Sequence, residues 1–159
     1  MESVTKKENS AFWGCVNLKT IRGYAGSYAE SYAKEYGYIF EDVEGKITTS
    51  YRTHVQSFGW QNPVTNGAMS GTSGEAKRLE AIQIKLYGEM ANHFDVYYRV
   101  HAQSYGWLGW AKNGEESGTA GLAKRLEGIQ IVLIPKGGAA PANNYKNIQS
   151  VHTKAYIKK

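Results

Sequence analysis

The chain of 159 residues has a single cysteine, Cys15. An internal disulfide framework and a cysteine-built metal cluster are therefore excluded, and Trp13 and Val16 beside it point to a packed thiol. No apolar run approaches the length that crosses a bilayer, so no membrane span is expected, and the opening MESVTKKENS has no apolar core of the kind a secretory leader carries. A basic body is also lacking. The net charge is +5, but Lys136, Lys146, Lys154, Lys158 and Lys159 form a tail without an acidic residue, and Met1 to Pro135 holds 14 basic against 14 acidic side chains. A nucleic-acid reader needs a charged footprint that this neutral body does not have, so no specific nucleic-acid partner is expected. The tail reads as solubilising, or as a contact for an anionic polymer.

Signals of chemistry are equally sparse. The histidines at 54, 93, 101 and 152 show none of the close spacings that build a zinc site, and neither a phosphate loop nor a nucleophile motif is present. No metal and no cofactor are expected. Glu80 and Glu127 each stand close to an arginine, which favours ion pairing over the opposed carboxylates of a glycosidase. The expectation is a protein that is not an enzyme.

Aromatic residues and a repeat are what the chain has in abundance. Twelve Tyr, four Trp and four Phe accompany 18 Gly, a mix suited to sheets and turns. Tyr51 to Leu86 recurs, 47 positions on and without a gap, as Tyr98 to Leu133, with 22 identities in 36 residues. Units of this length rarely bury an apolar face alone, so neighbours stack or close around an axis to share a core. The fold class expected is mainly β: repeats of β-hairpin units closed into one pseudo-symmetric domain, trefoil-like or prism-like, with one short N-terminal helix. Residues 1–45 form an N-terminal segment, a degenerate or capping unit whose Trp13 lies 47 positions before Trp60. Residues 46–92 and 93–141 form the two repeats, and 142–159 a basic segment with a closing strand near Ser150 to Ile157.

Tyrosines at 24, 28, 32 and 36 keep a four-residue period, which places their rings on one face of a helix stopped by Gly37. They serve as a platform for a sugar or partner, or as an aromatic face packed on the sheet, the second being preferred. Tyr51 to Gln56 and Tyr98 to Gln103 alternate as strands that send Arg, His and Gln to one side. Asn66-Gly67 and Asn113-Gly114 demand turns with positive φ. KRLEAIQIKL and KRLEGIQIVLI read as a helical or irregular entry followed by a strand, since Gly128 would cost a helix interior about 1 kcal/mol.

Positions free to drift differ between the copies, as in Gln61, Asn62 and Pro63 against Leu108, Gly109 and Trp110. Agreement marks constraint. Glycines and the Ile-Gln-Ile core explain themselves as turns and packing, whereas the polar faces Arg52, His54, Gln56 and Arg99, His101, Gln103 have two readings. In one, His and Gln bond turn backbones and Arg pairs with Glu80 or Glu127. In the other these side chains, with Trp60, Trp107 and Trp110, line a groove where indoles stack on sugar faces.

The pattern HVQSFGW, SGTSG, RLEAIQIKL, then HAQSYGW, SGTAG, RLEGIQIVL and KGGAAP resembles the clostridial hydrophobic ChW repeats, named for their common tryptophan. The resemblance runs from Ile47 to about Pro141 and includes the motif tryptophans Trp60 and Trp107. It implies an extracellular or cell-surface accessory module of Gram-positive bacteria, placed beside wall hydrolases, glycan-degrading or adhesion domains. The function expected is a noncatalytic module that binds cell-wall or environmental polysaccharide. The alternative is a structural subunit that self-associates into a surface appendage or phage component by strand addition.

Overall fold

The computed structural model describes residues 17–23, 26–42 and 48–159, of which 42% lie in strands and 13% in helices, so the protein is mainly β. Trp13, Cys15, Tyr24 and Ala25 fall outside the described residues. The chain divides into two compact units, Met1–Lys46 and Ile47–Lys159.

In the first unit β1 (Thr20–Gly23) and β2 (Ile39–Asp42) pair in parallel, with helix α1 (Tyr28–Tyr36) between them in sequence. The helix begins at Tyr28 because Ser27 caps it: the Ser27 Oγ accepts from Glu30 N–H, and the Glu30 carboxylate accepts from Gly26 N–H at 2.6 Å. Glu30 and Lys34 pair at 2.8 Å one turn apart. Gly37, at φ 73°, closes the end in the left-handed region. Tyr32 is buried and stacks on Tyr36 at 4.4 Å, so this part of the tyrosine stripe packs upon itself.

In the second unit each repeat builds one antiparallel ladder. The first uses β3 (Thr49–Val55), β4 (Gly59–Trp60), β5 (Val64–Thr65) and β6 (Leu79–Leu86). Helix α2 (Gly88–His93) leads into the second, with β7 (Phe94–Ala102), β8 (Gly106–Trp107), β9 (Ala111–Lys112) and β11 (Leu126–Pro135), while β10 (Ser117–Ala120) leaves it to join the first. The sequence reading allowed one helix; α2 is a second, six residues long with no side-chain cap, and too short to show a period. The ambiguous KRLE segments resolve as an irregular entry followed by the long strands β6 and β11.

Both ladders share one register. Arg52 lies opposite Gln83 and Arg99 opposite Gln130. Each ladder also skips a residue at one place, leaving Glu80 and Glu127 as the extra residue of a β-bulge. Asn66 and Asn113 enter their turns at φ 50° and 47°, followed by Gly67 and Gly114 at 91° and 100°. The side-chain oxygen of Asn113 then accepts Val96 N–H at 2.9 Å, and that of Asn66 accepts Thr49 N–H, so each turn is tied to its long strand.

The repeats join where β10 pairs with the outer edge of β6, Ser117 opposite Ile82 and Gly118 opposite Ala81. Gly118, at φ 127°, lies so close to Glu80 O and Ala81 that any side chain would collide. Burial pushes the Tyr98 phenol up to about 12, so it stays protonated. It accepts from Ile84 N–H at 3.0 Å and donates to Glu115 O. Around it Ile84, Leu86, Val96 and Ala111 form the core between the repeats, and Val100, Ala102 and Leu108 form a second cluster within repeat 2. Finally β12 (Tyr156–Lys158) pairs in parallel with the other edge of β10. Among the described residues these pairings run as open ladders, and none closes a trefoil or prism ring.

Candidate functional site

Each repeat carries the same cluster. In the first, Arg52 lies 5.0 Å from the Trp60 ring centre, and His54 meets that indole edge-on at 5.5 Å. In the second, Arg99 lies 5.4 Å from Trp107, and His101 meets it at 5.6 Å. The register explains this: β4 and β8 return beside β3 and β7, placing Trp60 opposite His54 and Trp107 opposite His101.

The partners differ from those expected. Arg52 and Arg99 do not pair with Glu80 or Glu127; each donates through Nε to the amide oxygen of the glutamine opposite, Gln83 or Gln130, the latter at 2.7 Å. The carboxylates belong to the histidines and to another arginine. Glu80 meets Arg78 at 2.8 Å and His54 at 3.2 Å, and Glu127 meets Arg125 at 2.8 Å and His101 at 3.2 Å. The His54 contact is close but off the hydrogen-bond line, so it is an electrostatic contact rather than an aligned bond. Gln56 and Gln103 stand one residue beyond the long strands, where their backbone N–H groups bond Arg78 O and Arg125 O. The strand face is thus Arg and His with Gln83 and Gln130. These two glutamines were legible in the shared Ile-Gln-Ile, which reads more readily as packing.

Beyond this common part the clusters diverge. Arg99 is fully buried and makes five hydrogen bonds, as many as it has N–H groups. Besides Gln130 its partners are Asn143 O at 2.8 Å, Ser150 Oγ at 2.6 Å, Tyr145 O at 3.4 Å and Ile148 O at 2.7 Å. All four come from the C-terminal segment, which loops over the guanidinium. Trp110 holds the same segment, lying 4.6 Å from the Arg99 guanidinium, meeting Tyr145 edge-on and donating from Nε1 to Ala142 O. Burial pulls the Arg99 pKa below the usual arginine value. Arg99 has no donor left for a ligand.

Arg52 is only half-buried, and apart from Gln83 and the Trp60 face it has no partner among the described residues. Pro63 occupies the place that Trp110 has in repeat 2. An open pocket of about 290 Å³ lies here, lined by Arg52, Gln83, Lys85, Tyr51, Pro63 and Tyr87, with Ser50, Ile84 and Gly114 around them. The pocket has cationic, amide and aromatic walls and no carboxylate. It can receive carbonyl or hydroxyl oxygens on Arg52, as Arg99 receives them from its own chain.

No curated protein and no solved structure matches this chain. The Clostridial hydrophobic W family matches at residues 54–88 and 101–135, segments that run from the histidine of each cluster past its tryptophan and through β6 or β11. The chain therefore carries two tandem repeats of the Clostridial hydrophobic W family.

Proposed function

We propose that this protein is a noncatalytic repeat module, acting outside the cell or at its surface, that holds cell-wall or environmental polysaccharide on the open cluster of repeat 1. The observation that carries the reading is the contrast between the two arginines. Arg99 is saturated by its own chain, whereas Arg52 keeps its Nη donors beside an indole in a pocket that nothing in the described chain fills. Three of the four oxygens on Arg99 besides Gln130 are neutral carbonyls and the fourth is a hydroxyl. Amide carbonyls and hydroxyls of a glycan offer Arg52 the same chemistry, and Tyr51, Tyr87 and Lys85 border the place where a sugar ring would lie. Trp107, Trp110, Arg99 and His101 then belong to the architecture of repeat 2, and Arg52 to the binding face, with Trp60 and His54 behind its guanidinium as support.

A noncatalytic role is supported by the state of the carboxylates. Glu80 and Glu127 are each committed to an arginine and a histidine of their own repeat, and each repeat supplies only its own copy. The place outside the cell rests on the family resemblance. The test is retention on purified Gram-positive cell walls by the intact chain and by Arg52→Gln. Retention lost in Arg52→Gln with an unchanged melting temperature agrees with the reading; retention unaffected by that change, or absent from the intact chain, removes it.

A second reading, a structural subunit, is favoured by a separate observation, the uncovered edge of β11. Within its own chain β12 pairs with β10 on one side and ends its ladder.

A further inference from the structure

The joint between the repeats has a counterpart at each end of the pair. Inside the chain, β6 offers its outer edge and β10 covers it. Four elements make the contact: Ser117 opposite Ile82, Gly118 opposite Ala81, Ile84 N–H on the Tyr98 hydroxyl, and the Gln83 amide donating to Gly114 O at 3.0 Å. Shifted by one repeat, the receiving set becomes Gly128, Ile129, Gln130 and Ile131 on β11. Among the described residues no strand covers that edge, and the Gln130 side-chain N–H₂ has no partner.

The apolar side chains tell the same story. Ile84 and Leu86, which the joint covers, are 8% and 5% exposed; their equivalents Ile131 and Leu133 are 56% and 42% exposed, with Ile129 beside them at 44%. Three large aliphatic residues in a row on an open strand edge form the kind of surface that soluble proteins cover or break with charge. No charged side chain interrupts them.

The giving set recurs in repeat 1 with every residue kept. Ser70, Gly71, Tyr51 and Gly67 stand where Ser117, Gly118, Tyr98 and Gly114 stand in repeat 2. Gly71 holds φ 115°, close to the 127° of Gly118. Tyr51 donates to Ala68 O as Tyr98 does to Glu115 O, so its oxygen is oriented to accept an N–H. Ser70, Gly71 and Thr72 are half-buried, while Ser117, Gly118 and Thr119 are buried by the joint.

We propose that β11 of one molecule receives the first repeat of a second copy of this chain, Ser70 and Gly71 lying opposite Ile129 and Gly128, in a joint that repeats the internal one. Giver and receiver are different surfaces, so the contact is heterologous and each added copy presents a fresh β11; the product is a linear stack of repeats. Ser70 and Gly71 already meet Thr53 and Leu79 of their own repeat, and the joint gives them a second role.

The experiment is sedimentation velocity on the intact chain, from micromolar to about 1 mM, with two variants whose folding is checked by circular dichroism. Ile131→Lys blocks the receiving edge and Ser70→Arg blocks the giving one, with Leu133→Lys and Thr72→Arg as substitutes should either fail to fold. The intact chain is expected to form a concentration-dependent series of species, and each variant alone to associate at least about tenfold more weakly. A mixture of the two variants, each with one sound end, is expected to give 1:1 dimers and nothing larger. A monomer at every concentration overturns the proposal. So does association untouched by Ile131→Lys, or a dimer that Ser70→Arg alone forms as readily as the intact chain, which would mean that β11 pairs with β11.

Discussion

Gly109 lies so close to Thr153 that a Cβ on the glycine would overlap the Thr153 carbonyl oxygen. Its N–H also donates to Lys154 O at 2.9 Å, and it is buried, whereas Asn62 in the same place of repeat 1 is exposed. Gly109→Ala is therefore expected to lower stability by about 1–3 kcal/mol through overpacking. Hydrogen exchange should quicken at Gly118 and Val151, whose N–H groups bond Ala155 O and Trp107 O in the same docking. Asn62→Ala should stay within about 0.5 kcal/mol. Thermal melts and exchange read both.

Arg99 and Arg52 are the same residue in two settings, and their variants should part widely. Arg99→Gln leaves buried carbonyls of Asn143, Tyr145 and Ile148 without a donor and is expected to cost about 3 kcal/mol or more. Arg52→Gln removes a half-buried side chain and should cost about 1 kcal/mol or less. Urea titration compares them; equal costs would mean that the two clusters are not one filled and one open.

The paired carboxylates should part in the same manner. The Glu80 side chain is 5% exposed and that of Glu127 31%. Glu80→Ala strands Arg78 and is expected to cost about 3 kcal/mol. Glu127→Ala should cost about 1 kcal/mol or less, its partners being more open to solvent.

Asp95 gives the chain a pH-dependent anchor. Asn113, Lys112, Lys136 and Gly137 N–H all bond its buried carboxylate and hold its pKa well below the ordinary range. A folded-state pKa lowered in this way contributes stability that is complete above the unfolded value, about 3.9, and fades as pH falls below it toward the folded value. Asp95→Asn should therefore be less stable than the parent at pH 7, and the gap should narrow below about pH 4. A gap that stays constant down to pH 2 would rule out the linkage.

Much of this was legible in the chain. The period of 47 gave the two ladders, the Asn-Gly pairs gave their turns, and Gly37 gave the end of α1. What escaped was whatever one repeat does for another part of the molecule. Leu108, Gly109 and Trp110 differ from Gln61, Asn62 and Pro63, which reads as drift. In the fold Leu108 is buried, Gly109 makes room and Trp110 grips the C-terminal segment, so the difference is a specialisation. Likewise Arg52 and Arg99 take the glutamines across the ladder rather than Glu80 and Glu127, because the bulge turns those carboxylates toward the histidines. Cross-strand register decides such partners, and sequence spacing along one strand does not carry it.

One filled and one open arginine set the two repeats apart, and ¹⁵N spectra of the arginine guanidinium groups observe both at once. In the intact chain the Arg99 Nη groups should appear as separate, slowly rotating signals, held by their four bonds, while those of Arg52 are averaged by rotation. Soluble fragments of cell-wall glycan should then slow and shift Arg52 alone. If Arg52 is already held as firmly as Arg99, or if the glycan leaves its signals unmoved, the open cluster is not a binding site.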